Sequence, residues 1–280
     1  MIVTAEQWRA VRAALRDTTD RFADLVLAAR PEAMATAHWT VTDTAAHVTA
    51  IAWLYTFLVR FDDTALPYAD VARQVPLTTV DTVADLNALV LGEFTERDPR
   101  ALAGLLRAHV ATILAAAGDE PATRPVPWLG DSRVPLAGVL AHLVNELLVH
   151  GRDIARAVRA PWTVGDREAA MFFELFLVGM LRHDHGRVLD TGQRVRDRRI
   201  AVRFRSAYTT PVTLVLRAGR VTVADPGPDD DVRLAFAPAA LSLMLFGRLG
   251  RPRAVLTGKL RVAGRVWLLP EFLRTVRLPS

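Results

Sequence analysis

Glu146 and His150 stand four residues apart in HLVNELLVHGRDIARAV, residues 142–158. On an α-helix that spacing puts two side chains one turn from each other, so that both reach a single point. A carboxylate and an imidazole so placed either share a metal ion or pair with each other on a solvated helix face, and spacing alone does not separate the two. The surroundings bear on the choice. Leu147, Leu148, Val149, Ile154, Ala157 and Val158 would bury much of this helix, where polar groups cost free energy unless paired, hydrogen-bonded or bound to metal. His142 competes with His150 for Glu146. Eight residues of helix span about 12 Å, too far for both imidazoles to meet one ion at roughly 2.1 Å each, so Glu146 is expected to pair with one or the other. Asp153 is either an acceptor for the second nitrogen of His150 or a surface partner of Arg152 or Arg156. His47, in an apolar segment, is a hydrogen-bonded core residue unless the fold sets it opposite Glu146. His38 and His109 have no comparable setting, and His183 and His185 in RHDHGR are at most an adventitious metal site.

The rest of the composition narrows the chemistry. Cysteine is absent, which excludes disulfides, thiolate ligands and a cysteine nucleophile, so any thiol chemistry must use a thiol from outside. A net charge of +5 rests almost wholly on Arg, with Lys259 the single lysine, and these Arg are scattered among Asp and Glu. No nucleic-acid partner is expected from such a distribution. The most apolar runs, AIAWLYTFLV and MFFELFLVGML, are shorter than the roughly 18 residues a membrane span needs. The first residues lack the order of a signal peptide. A cytoplasmic protein without a membrane partner is expected.

The elements that would position these groups can be read from caps and periodicity. A length of 280 residues predicts two domains. Trp8, Val11, Leu15, Phe22, Leu25 and Val26 repeat at three and four, predicting a helix over 4–29. Thr40 and Asp43 make a capping-box pair that starts the His47 helix at Val41. Residues 61–79 read as a loop with Pro67 and Pro76. Further helices are predicted over 82–97 behind Asp81 and over 99–117 behind Asp98. A connector over 118–134 carries Trp128, which either lines a site or packs over the helices. Pro135 then opens the Glu146 helix. Residues 1–160 therefore make a four-helix bundle with an extra helix or two. After a linker at 159–165, a helix capped by Asp166 is followed by a change to alternating patterns. AVRFR, VTLVLRAG, RVTVAD and VRLAF read as strands, with a hairpin turn at Ala218-Gly219. PAALSLMLFGRL reads as a helix, AVLTG as a strand and RVAGRVWLLPEFL as a last helix kinked by Pro270. Residues 165–280 are thus predicted to be an α+β domain with a mainly antiparallel sheet. Met171, Phe172, Phe173, Phe176, Leu243, Met244 and Phe246 form its core or line an apolar pocket.

Three stretches together resemble a known family. WTVTDTAAHVTA, ELLVHGRDIARAV and the C-terminal DDDVRLAFAPAALSLMLFGRLGRPRAVLTGKLRVAGRVWLLPEFLRTVRLP are similar to the mycothiol-dependent maleylpyruvate isomerase family of actinobacteria. The resemblance implies a DinB-like metal-binding four-helix bundle joined to a sterol-carrier-like α+β domain. It also implies His47, Glu146 and His150 as ligands of a divalent metal, for which zinc suits the donor types, and mycothiol as the thiol. The implied function is a mycothiol-using transferase or isomerase in which a metal-bound thiolate attacks a small electrophilic substrate. The family's isomerase draws an Arg from its C-terminal domain. The pattern around Arg203, Arg205, Arg217 and Arg220 aligns with no such residue, so no catalytic residue is assigned. The alternative of a different class is a non-catalytic metal-binding protein whose C-terminal domain holds an apolar ligand.

Overall fold

The structure is a computed structural model that describes residues 3–60, 66–190 and 197–276. Parts of the loop expected over 61–79 and of the Arg/Asp-rich stretch after 186 lie outside the described residues. Helix α1 (Ala5–Ala28) starts at Thr4, whose side chain and that of Gln7 cap each other's backbone N–H. Helix α2 (Val41–Leu58) starts in the same way: the Asp43 N–H donates to Thr40 Oγ1 at 3.1 Å and the Thr40 N–H to Asp43 Oδ2 at 3.1 Å. Between residues 66 and 79 the expected loop contains a short helix, α3 (Ala69–Gln74), followed by one 3₁₀ turn. Helix α4 (Val83–Glu93) is shorter than predicted and has Thr82, not Asp81, at its cap position. The Thr79 N–H donates to Thr82 Oγ1 at 3.0 Å, a turn that sets the start one residue later. The predicted last turn is lost because Arg97 folds back. Its guanidinium donates to the carbonyls of Leu91 and Phe94, which the end of the helix leaves open, and to Asp43 Oδ1 at 3.1 Å. One side chain thereby closes α4 and steadies the start of α2.

Helix α5 (Pro99–Ala116) is capped by Asp98, which accepts from the N–H groups of Arg100 and Ala101. The connector after it forms a hairpin of β1 (Pro125–Pro127) and β2 (Arg133–Pro135), unforeseen because each strand is three residues long. Helix α6 (Leu136–Val158) follows directly. It is buried on nearly every side, from Leu136 to Ala155. Helices α1 and α2 each pack along α5 and α6, so four long helices enclose one apolar core in which Leu15, Phe22, Leu106, Ile113, Leu143 and Leu147 are fully covered. Among the described residues no helix is long and apolar enough to cross a membrane.

The second part begins with α7 (Asp166–Met171), a π-helical stretch over Phe172–Val178 and α8 (Gly179–His183). Gly165 takes the cap position expected for Asp166, whose Oδ1 instead accepts from the Ala239 N–H at 2.9 Å. The sheet holds β3 (Ile200–Ser206), β4 (Thr209–Arg217), β5 (Arg220–Ala224), β6 (Val232–Phe236) and β7 (Leu260–Gly264) in the order β5-β4-β3-β6-β7. Only the β3–β6 pair is parallel. Ala218 and Gly219, both at positive φ, make the predicted β4–β5 turn. In β6, Val232, Leu234 and Phe236 are buried and Arg233 and Ala235 exposed, the period-two signature of a sheet covered on one face. The C-terminal assignment is reversed over two segments. AVLTG was expected as a strand, but α10 (Arg251–Leu256) begins at Gly250 with Pro252 in its first turn, where proline is tolerated. Residues 261–264, expected in the last helix, belong with Leu260 to β7 and pair with β6; Pro270 lies in the first turn of α11 (Leu269–Thr275) and kinks nothing. A further helix, α9 (Pro238–Leu245), agrees with the prediction.

Candidate metal centre

His47 sits on the second turn of α2, and Glu146 and His150 near the middle of α6. The two helices bring them together. Glu146 Oε2 lies 3.8 Å from His47 Nε2 and 3.3 Å from His150 Nε2, and one ligand atom from each residue falls within 4.8 Å of the others. Among the described residues this is the one cluster of His, Cys, Asp and Glu that closes to such distances. All three residues are buried, with exposures of 4%, 7% and 8%. Ligands held roughly 2.1 Å from one tetrahedral ion lie about 3.4 Å apart, longer than a strong charge-assisted hydrogen bond. The two separations from Glu146, 3.3 and 3.8 Å, lie on either side of that spacing. Two nitrogens and one oxygen are also a donor set that zinc accepts, so the residues fit a divalent metal.

The electrostatics follow from burial and mutual contact. Burial by itself would raise the Glu146 carboxyl, but the His150 and His47 imidazoles beside it, with the charge of His150, hold it well below the usual carboxylate range. Burial lowers His47 and keeps it neutral. It would lower His150 as well, yet Asp153 and Glu146 on either side raise that imidazole above its ordinary value.

Around the triad lies a second layer. Asp153 Oδ2 stands 3.6 Å from His150 Nδ1, too long for a hydrogen bond, and among the described residues that nitrogen has no hydrogen-bond partner. Asp153 is not a surface residue paired with Arg152 or Arg156; it is buried and gripped by Arg248, whose Nη2 lies 2.8 Å and Nε 3.1 Å from Oδ2. The Trp39 ring is 4.7 Å from the His47 ring and 6.1 Å from that of His150, closing one side of the cluster. His142 is drawn in too: its Nε2 lies 3.5 Å from Glu146 Oε1. The cluster that closes contains His150 and not His142, and His142 faces the other oxygen of the same carboxylate. Trp128 both packs and bonds, donating from Nε1 to Tyr55 Oη at 2.9 Å while its ring meets His142 and Phe176.

Sequence reasoning missed Trp39, Tyr55 and Arg248. Tyr55 follows His47 by eight residues and His142 precedes His150 by eight, so antiparallel α2 and α6 must set Tyr55 opposite His142 if His47 faces His150. That signal was legible. Arg248 carried none, being 95 residues from Asp153. Of the Arg residues considered in the second half, Arg203 pairs with Asp230 and Arg205, Arg217 and Arg220 are exposed. His38 and His183 are exposed and His109 half-buried; His185 is buried and does not join His183 in a cluster.

A family model described as the mycothiol maleylpyruvate isomerase N-terminal domain matches residues 7–155, more than half of the chain. The chain belongs to this family. A second model, the SCP-2 sterol transfer family, matches residues 183–272. Within the maleylpyruvate isomerase family, a histidine-to-alanine mutant of the mycothiol-dependent maleylpyruvate isomerase is a similar solved structure. It has a TM-score of 0.51 at 13% identity, covering 91% of this chain and 92% of that one. A second crystal structure, of the mycothiol-dependent maleylpyruvate isomerase, gives a TM-score of 0.49 at 14% identity, covering 86% of this chain and 89% of that one. The first of these extends the likeness of fold over both the helical part and the sheet. No curated protein sequence matches the chain.

Proposed function

We propose that the chain is a mycothiol-using isomerase or transferase acting on a small electrophile, with His47, Glu146 and His150 as the ligands of a divalent metal, zinc by donor type. The observation that carries this reading is that Glu146 on one helix lies 3.3 and 3.8 Å from the imidazoles of His150 and His47, with one ligand atom of each residue within 4.8 Å of the others, inside an apolar core. A zinc ion held by these two imidazoles and one carboxylate would have room for a thiol and would favour its thiolate form near neutral pH. The protein's own groups prepare that site. Glu146 is ionised at neutral pH, His47 is neutral, and His150 has the Asp153 carboxylate, held by Arg248, 3.6 Å from its Nδ1. Trp39 limits the approach of water to the imidazoles. The chain has no thiol of its own, so the thiol comes from a low-molecular-weight pool. A reduced pool of that kind is intracellular, which makes the cytoplasm the expected location.

A second reading, favoured by the match of residues 183–272 to the SCP-2 model, is that this part holds an apolar ligand. Against it, Phe173, Phe204, Phe236 and Phe272 fill the interior between the π-helical stretch, the sheet and α11, with ring centroids 5.0–6.4 Å apart.

Metal analysis tests the main reading. One equivalent of divalent metal is expected in the purified protein, none in His47→Ala, Glu146→Ala or His150→Ala, and a full equivalent at saturating zinc in His142→Ala. Mycothiol added to the cobalt-substituted protein should give a sulfur-to-cobalt charge-transfer band. Loss of metal in His142→Ala with retention in His150→Ala would reverse the ligand assignment. No band on fully loaded protein, with lipid co-purifying instead, would favour the carrier.

A further inference from the structure

A buried polar chain runs from the connector hairpin to the far side of Glu146. Trp128 Nε1–H can only donate, and it occupies a lone pair of the Tyr55 oxygen at 2.9 Å. The hydroxyl hydrogen of Tyr55 then has His142 Nδ1 at 3.0 Å, and among the described residues no other acceptor lies within its reach. Burial keeps that hydroxyl protonated, so it is available to donate. With Nδ1 accepting from Tyr55, the imidazole proton is on Nε2. Nε2–H faces Glu146 Oε1 at 3.5 Å, while Oε2 faces His47 and His150. Each link allows one direction only.

We propose that Trp128, Tyr55 and His142 are positioning residues that steer Glu146, with Oε1 facing the His142 N–H at 3.5 Å and Oε2 presented to the triad. His142 is excluded as a ligand by the same arrangement, since one nitrogen accepts from Tyr55 and the other carries a proton. A carboxylate so held offers one oxygen in a defined direction, whereas a free one could rotate and chelate with both. The aromatic walls keep the chain dry: the His142 ring lies 4.6 Å from Phe176 and 5.2 Å from Trp128. The hydrogen-bond chain stands on these distances alone, and its consequence for metal binding rests on the metal reading of the triad.

Two measurements test it. A long-range proton–nitrogen correlation spectrum of the purified protein with isotope-labelled histidines should show His142 as the Nε2–H tautomer, its signals identified by their loss in His142→Gln. Zinc affinity, measured by competition with a chelating dye, should fall about 10- to 100-fold in Tyr55→Phe and in His142→Leu, the usual loss when a group supporting a ligand is removed. His142→Gln can accept from Tyr55 through its carbonyl and donate to Glu146 through its amide, and it should retain most of the affinity. An Nδ1–H tautomer in the wild type overturns the proposal. So does an unchanged affinity in Tyr55→Phe, or an equal loss in His142→Gln and His142→Leu, which would mark packing as the cause. If Tyr55→Phe does not fold, the spectrum and the two His142 variants still decide. A wild type that binds no divalent metal overturns the function reading instead, and the tautomer then decides the hydrogen-bond chain by itself.

Discussion

At the residue scale, the triad's protonation sets how metal binding depends on pH. In the metal-free protein His150 is raised above its ordinary 6.5, so its contribution to stability is complete below that value and is lost as pH rises through the raised folded value. Glu146 is lowered from 4.5, so its contribution is complete above that value and is lost as pH falls through the lowered one. Both contributions coexist between 4.5 and 6.5, and there the empty site's own ion pairing is strongest. Binding a metal requires neutral His150 and displaces its proton. Zinc affinity should therefore rise about tenfold per pH unit below the raised His150 pKa and level off above it, with about one proton released per ion below it. Calorimetric titration in two buffers of different ionisation enthalpy measures that proton. A release of none at pH 6.5 or below would mean that His150 is already neutral.

At the element scale, α6 carries the site and its neighbours fix where it lies. Gly151, next to His150, is there because Trp162 packs flat on that turn and donates from Nε1 to the Leu148 carbonyl at 2.9 Å; a β-carbon at 151 would overlap the ring. Alanine would favour the helix by about 1 kcal/mol, but overpacking a closed contact costs about 1–3 kcal/mol. Gly151→Ala should therefore lower the stability measured by urea unfolding, and a more stable variant would show that Trp162 yields freely. Such elements were largely legible in the sequence. The capping box at Thr40–Asp43, the cap at Asp98 and the period-two strands are local patterns, and the structure has them all. Residues 254–264 were not. AVLTG and RVAG suit either state, and the choice falls to the partner: β6 offers an edge to residues 260–264 and none to 254–258.

At the scale of the whole molecule, the two parts meet around the site. Arg248 reaches Asp153, Ser242 Oγ donates to Asn145 Oδ1 at 2.7 Å, and Asp166 accepts from Ala239. One apolar cluster continues from the helices through Phe172 and Phe176 into the sheet. We propose a domain boundary in the 159–165 linker, with this interface holding the parts together. Arg248→Ala leaves Asp153 buried beside His150 without its guanidinium and should cost about 2–4 kcal/mol, somewhat less than a fully enclosed pair because Arg248 is partly exposed. Asp153→Leu combined with Arg248→Met should recover much of that stability in urea unfolding. Cleavage by a protease at 159–165 should be faster in Arg248→Ala than in the wild type. Unchanged stability and unchanged cleavage would mean that the apolar contacts alone join the parts.

The sequence by itself determined what depends on neighbours along the chain. It placed Glu146 and His150 one turn apart, started the His47 helix at Thr40, excluded an internal thiol and carried the family resemblance. The tertiary structure decided what depends on distances between elements. It alone set His47 against Glu146, gave His142 the other carboxylate oxygen, moved Asp153 from a surface partner to Arg248 and laid Trp39 over the imidazoles. Helical periodicity states which side chains share a face, but which face meets which is fixed only when the apolar surfaces of α2, α6 and the second part are buried together.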